Sequence, residues 1–203
     1  MSTFILFIAG FFFSFIGSIP PGSINITTLQ YALENRIKAA FSFATAAALT
    51  EYLYAAIAVR FQIYLTETAG ISQYFQMVTG SVLILLGLFN LFKKPVESNV
   101  QTSGEKRNAF KKGVLLSLAN PLAIPFWLMV TAYLQSMGWV EINGQNFWIY
   151  VAGISVGTFC LLASVIKLGS RFTAIQDNSF LTYKVPGLIF IGMGIWSFIS
   201  PNQ

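Results

Sequence analysis

Charge divides this chain into six apolar stretches, five of at least 20 residues and a last one of 15. They cover residues 4–33, 39–59, 71–92, 113–135, 147–166 and 185–199. A helix of roughly 20 apolar residues spans the ~30 Å hydrocarbon core. Helices and closed barrels are the structures that satisfy their own backbone hydrogen bonds there. The pattern therefore predicts an all-α polytopic membrane protein of six transmembrane helices. Only 9% of the 203 residues are charged, against about 25% in a soluble domain. That is too little charge to coat a soluble globule, though enough to cap the ends of a bundle sheathed in lipid. Residues 4–16 resemble the apolar part of a signal peptide. No Lys or Arg precedes them, however, and Gly17-Ser18-Ile19-Pro20 is a poor cleavage site, so the stretch is expected to be retained as the first span.

The loops carry the orientation. Of the 12 basic residues, all but Arg60 fall in odd-numbered loops: Arg36 and Lys38; then Lys93, Lys94, Lys106, Arg107, Lys111 and Lys112; then Lys167, Arg171 and Lys184. Positive loops stay inside. This predicts a multi-pass protein of the cell (inner) membrane with a cytoplasmic central loop and both termini outside. The same split explains the net charge of +5 without a nucleic acid or other polyanion as partner. Residues 93–112 are polar and read as a flexible hinge in a single transporter domain, 1–203. It joins a first repeat (about 1–92) to a second (about 113–203).

The repeats are visible in the residues. With Pro21 placed on Pro121, the segment from Ser18 to Ile24 lies over that from Leu118 to Ile124. Each half then opens with a helix broken by proline at membrane depth. A second match, offset by 107, sets Glu51 on Thr158 and Arg60 on Lys167. Halves of three spans each must be inverted relative to one another, the layout of many secondary transporters. Proline removes a backbone donor and clashes with the preceding turn. The freed groups need partners in protein or in a wet cavity. Half-helix ends present N–H groups to an anion and carbonyls to a cation, so two opposed breaks suit a zwitterion. A pair of packing kinks is the plainer alternative.

Certain residues stand out against this apolar background. Glu51 is the one acid well inside a span, where a charge costs roughly 2.5–3.5 kcal/mol on insertion scales. It is a candidate for proton coupling or for meeting a substrate ammonium; the alternative is an acid kept neutral by Tyr or Asn. Tyr54 lies one turn away on its face. Asn25, one turn past the first break with Thr28 on its face, and Asn120, just before Pro121, either cross-link helices or contact substrate. Trp127, soon after Pro125, is expected to pack or to join an aromatic belt, with gating as the alternative. Trp139 and Trp148 read as belt residues. Ala40, Ala44 and Ala48, like Gly153 and Gly157, mark close-packing faces. Thr158 is the counterpart of Glu51.

The sequence also excludes chemistries. It has one cysteine, Cys160, and no histidine. That removes an internal disulfide, the usual zinc, haem and iron–sulfur sites, and Ser-His-Asp or Cys-His catalysis. Neither a cofactor nor a resident metal is expected.

Taken together, Gly17 to Asn25, the acid in the second span, and Leu118 to Ile124 after a basic loop resemble the LysE family of amino-acid exporters. Many members read Pro-Gly-Pro in the first motif and Asp in the second span, where this chain has Pro21-Gly22-Ser23 and Glu51. The resemblance implies a non-enzymatic exporter of amino acids or related amines driven by the proton gradient. It carries function over to Pro21, Gly22, Asn25, Glu51, Asn120 and Pro121, with Pro20 in the same motif. A second copy of the chain is a candidate partner alongside amino acid, proton and lipid. Two alternatives stay open: export of a metal or other cation, and a non-transport membrane scaffold.

Overall fold

The computed structural model describes residues 3–20, 22–68, 72–92, 106–120, 123–177 and 184–199. Among these residues the chain forms eight helices and no strand: α1 (Thr3–Gly17), α2 (Ser23–Leu33), α3 (Ile37–Thr68), α4 (Ser72–Phe92), α5 (Lys106–Leu118), α6 (Ala123–Ser136), α7 (Phe147–Asp177) and α8 (Val185–Ile199). Two are long and apolar enough to cross a membrane alone, through Ile37–Leu65 and Phe147–Gly169. A third span results if α5 and α6, bent by 62° at their junction, count as one. The exposed face of α3 carries Leu49, Leu53, Ile57 and Phe61, a stripe of period four that only lipid would solvate well. The described residues are all helical or connect helices, as in a polytopic membrane protein.

Three boundaries differ from those read in the sequence. α3 continues beyond Val59 because Arg60 does not stop it; the guanidinium lies 6.0 Å from the centre of the Phe147 ring. At ~1.5 Å per residue, the 29 residues of its apolar part outrun the ~30 Å core, so Arg60 can sit near its edge. α5 starts at Lys106, inside the segment read as hinge. Lys, Arg and Ala are good helix formers, and nothing breaks the run before Gly113. The rest of that hinge, residues 93–105, lies outside the described residues. α7 runs past Ile166 to Asp177 but kinks at Gly169, whose φ of 31° and ψ of −100° favour glycine.

α3 and α7 lie against each other at the centre. α1 runs along α7 and α5 along α3; α2 packs on α7 and α3, α6 on α3 and α4, and α4 along α8. Small residues allow these approaches, since dispersion between close backbones is a main attraction left inside a bilayer. A Cβ on Gly153 would collide with the Phe7 carbonyl oxygen, one on Gly157 with that of Phe11, and one on Gly10 with that of Tyr150. Between α5 and α3, a Cβ on Gly113 would lie 2.7 Å from the Phe43 oxygen.

The α4–α8 contact is reciprocal. Gly87 meets Gly187 and Gly187 meets Gly87; Gly80 meets Gly194 and Gly194 meets Gly80. Gly187 and Gly194 follow Gly80 and Gly87 by 107 positions each, the offset that sets Thr158 on Glu51.

The turns after α2 and α6 are also alike. The Arg36 N–H donates to the Tyr31 carbonyl and Asn35 to that of Ala32, around a left-handed Asn35 (φ 58°). Trp139 donates to Leu134 and Gly138 to Gln135, around Gly138 (φ 67°). Both are Schellman ends, which consume carbonyls that a helix terminus leaves orphaned.

Candidate functional site

The first break separates α1 from α2. After Gly17 the chain makes one last turn, with Ser18 N–H on the Ser14 carbonyl and Ile19 N–H on that of Ile16. The carbonyls of Ser18 and Pro20 then point past the end of the helix. The Asn25 side-chain amide meets both, donating at 2.6 Å to Ser18 and 3.2 Å to Pro20. Gly22 begins α2 with extended geometry (φ −117°, ψ 179°) and no side chain caps the helix there. A Cβ on Gly22 would meet nothing within 4 Å. The chain therefore has open space beside Gly22, where α2 begins.

The second break separates α5 from α6. Here the Leu118 carbonyl, the last of α5, accepts a hydrogen bond from the Tyr54 hydroxyl of α3 at 2.7 Å. Asn120 N–H closes a final turn on the Ser117 carbonyl. One turn into α6, Trp127 is 1% exposed, and its indole N–H donates to Glu51 Oε1 on α3. Phe126 beside it touches Gly17 at the end of α1; a Cβ there would lie 2.7 Å from the ring tip. The far side of the Phe126 ring packs edge-on against Phe190 of α8. Thus the start of α6 reaches the first break through Phe126 and the central acid through Trp127. Tyr54, one turn from Glu51 on α3, holds the second break. Acid, indole and both interrupted helices form one constellation.

An indole N–H only donates, whereas a carboxyl oxygen accepts whether or not the group carries a proton. The Glu51–Trp127 bond therefore holds the carboxyl in place without fixing its charge. With one oxygen engaged, the other remains for a proton or a cation.

Comparison with known proteins decides what kind of molecule this is. The family model described as "LysE type translocator" matches residues 15–200. The chain belongs to the LysE type translocator family. A relative in Bacillus subtilis (strain 168), named "Putative amino acid efflux protein YcgF", is 28% identical over 152 residues, which cover 71% of this chain and 72% of that protein. No solved structure gives a significant match. The family is one of transporters, which agrees with the transport reading of the motifs.

In this translocator the residues singled out in the sequence fall into three groups. Glu51, Tyr54, Trp127, Gly22 and Asn25 belong to the constellation, and the Pro20 carbonyl is held within it. The Asn25 side-chain amide bridges the break between α1 and α2 by bonding the Ser18 and Pro20 carbonyls. Glu51 bonds to Trp127 rather than to a Tyr or Asn. Thr28 turns back on the Ile24 carbonyl, as helix hydroxyls in apolar surroundings do. Thr158 shares a 2.8 Å hydrogen bond with Ser14 of α1, away from Glu51. Pro21 and Pro121 lie outside the described residues. Sequence reasoning missed Ser14, Phe126 and Ser155, whose hydroxyl donates to the Ala48 carbonyl at 2.8 Å and ties α7 to α3 one turn before Glu51. Each gains meaning only from a neighbour far away in the chain.

Proposed function

We propose that this translocator exports amino acids or related amines from the cytoplasm by proton antiport with alternating access. In this reading it sits in the cell (inner) membrane with six spans, as two inverted three-span repeats, with both termini outside and the central loop cytoplasmic. The packing of α1 on α7 and α5 on α3, the reciprocal glycine contacts of α4 and α8, and the paired Schellman ends support the repeat. The observation that carries the function is the Glu51–Trp127 pair set between two interrupted helices.

The chemistry follows from competition for one carboxyl. On the cytoplasmic side Glu51 gives up its proton and its free oxygen accepts a substrate ammonium, while Trp127 keeps the carboxyl in place. The substrate carboxylate lies at the start of α2. The N–H groups of Ser23, Ile24 and Asn25 there carry the positive end of the helix dipole, and the missing side chain of Gly22 leaves room. On the outer side a proton takes the carboxyl and the ammonium leaves. Proton and substrate thus exclude one another at one atom, which is what antiport requires.

The test uses proteoliposomes loaded with a labelled amino-acid mixture under an imposed pH gradient, with wild type beside Glu51→Gln. Gradient-driven efflux of particular amino acids by the wild type, lost in the variant, is expected. Full-rate export by Glu51→Gln with unchanged pH dependence would overturn the coupling role.

A further inference from the structure

Trp127 meets only half of what Glu51 needs. A protonated carboxyl has an O–H that must find an acceptor, and an indole N–H cannot accept. Inside a bilayer a polar hydrogen without a partner is costly, so a carboxyl that gains and loses a proton is best served by a second neighbour.

One buried hydroxyl stands where that neighbour belongs. Ser117 is 2% exposed, and its Oγ makes no hydrogen bond with any described residue. The hydroxyls of Thr28, Thr45, Thr50, Ser81 and Ser164 all fall back on the carbonyl four residues earlier; that of Ser117 does not. Its direction follows from its helix. Gly113, one turn below on the same face of α5, is pressed against Phe43 and Ala46 of α3. The next turn of α3 above Ala46 carries Thr50 and Glu51. From the other side, the Leu118 carbonyl is bonded to Tyr54, three residues beyond Glu51.

The other half of the molecule displays the same arrangement completed. There Gly10 of α1 is pressed against the Tyr150 carbonyl of α7, and one turn later Ser14 bonds Thr158 at 2.8 Å. Tyr150 and Thr158 follow Phe43 and Glu51 by the offset of 107, and Ser117 stands one turn above Gly113 as Ser14 stands one turn above Gly10. Ser117 is thus to Glu51 what Ser14 is to Thr158. We infer that Ser117 is the second hydrogen-bond partner of Glu51, a positioning residue whose hydroxyl accepts a hydrogen bond from the protonated carboxyl.

The two halves are caught in opposite settings. Thr158 bonds to the helix before the break, and Thr27 on the helix after it is 0% exposed with no bonded hydroxyl. Glu51 bonds to the helix after the break through Trp127, and Ser117 before it is left over. Thr27 stands on α2 where Trp127 stands on α6, counted from the paired prolines. Passing between access states would exchange these partners.

The inference rests on Glu51 being the proton-carrying group, so the test separates the two. Other titratable side chains on the elements packed around Glu51 are Tyr52, Tyr54 and Tyr64 on α3, Tyr133 on α6, and Tyr150 and Cys160 on α7. Among the residues whose side chains are described, the charged groups on these helices are Lys38 and Arg60 on α3, Lys111 and Lys112 on α5, and Lys167 on α7. The infrared band of a protonated carboxyl in the purified protein, assigned to Glu51 by its loss in Glu51→Gln, is titrated with pH. In Ser117→Ala the band should shift and proton binding weaken by about tenfold, the value of one hydrogen bond of ordinary strength. Ser117→Thr should restore both, and Thr45→Ala should change neither. A band that titrates in Ser117→Ala as in the wild type overturns the role of Ser117 and leaves Glu51 as carrier. A protein without such a band at any pH overturns both.

Discussion

At the break between α1 and α2, two loose carbonyls are met by Asn25, a residue of α2 itself. At the break between α5 and α6, the Leu118 carbonyl is met by Tyr54, a residue of another helix. The first break is closed upon itself, so it moves as one piece with α2. The second is held from α3, the helix that carries Glu51, so a displacement of α3 must carry that break along or release it. The acid sits beside the second break and bonds to its α6 through Trp127, while open space adjoins the first at Gly22. One interruption is thus built as a rigid frame that moves as a unit, and the other as a part geared to the proton site.

Substitutions can break this contrast. Asn25→Ala leaves two carbonyls of the first break without their donor, and an unmet buried group costs about 1–3 kcal/mol. Its thermal unfolding midpoint in detergent should show the largest fall of the set. Tyr54→Phe removes a single interhelical bond, worth about 0.6–1.7 kcal/mol in a bilayer, so its midpoint should fall less while the pH dependence of efflux changes more. A larger loss of stability in Tyr54→Phe than in Asn25→Ala would invert the assignment of frame and geared part. Gly22→Ala should leave the midpoint within about 0.5 kcal/mol of wild type, because the backbone there suits any residue and a methyl meets nothing. Reduced efflux from this stable variant would sharpen the contrast by placing substrate at the first break; unaltered efflux would move it elsewhere.

Much of this arrangement was legible in the sequence, for physical reasons. The breaks were visible because proline cannot continue a helix, and Glu51 because acid is so costly in lipid. Its bond to Trp127 was not, since 76 residues separate the two and an indole in an apolar run looks like packing. Asn25 was visible as a polar residue beside a break, but its choice of the Ser18 and Pro20 carbonyls depends on how the chain turns between the half-helices. α5 begins earlier than expected because polar composition suggests a loop even where Lys, Arg and Ala favour a helix. Gly153 and Gly157 were read as a packing face, and they admit the backbone of α1 at Phe7 and Phe11. Ser117 carries no sequence signal of its own; it becomes conspicuous only once its neighbours are satisfied and it is not.

The Schellman turn at Asn35 has a mechanical consequence. α2 ends at Leu33, α3 begins at Ile37, and the Arg36 N–H is tied back to Tyr31 while its carbonyl already serves Ala40. No slack chain lies between the two helices. A tilt of α3 about its middle is therefore passed to α2 through a stiff elbow and reappears at the far end of α2, where Gly22 lies. The helix that holds the acid and the half-helix that faces the open space act as two arms of one crank, so displacement at one is delivered to the other.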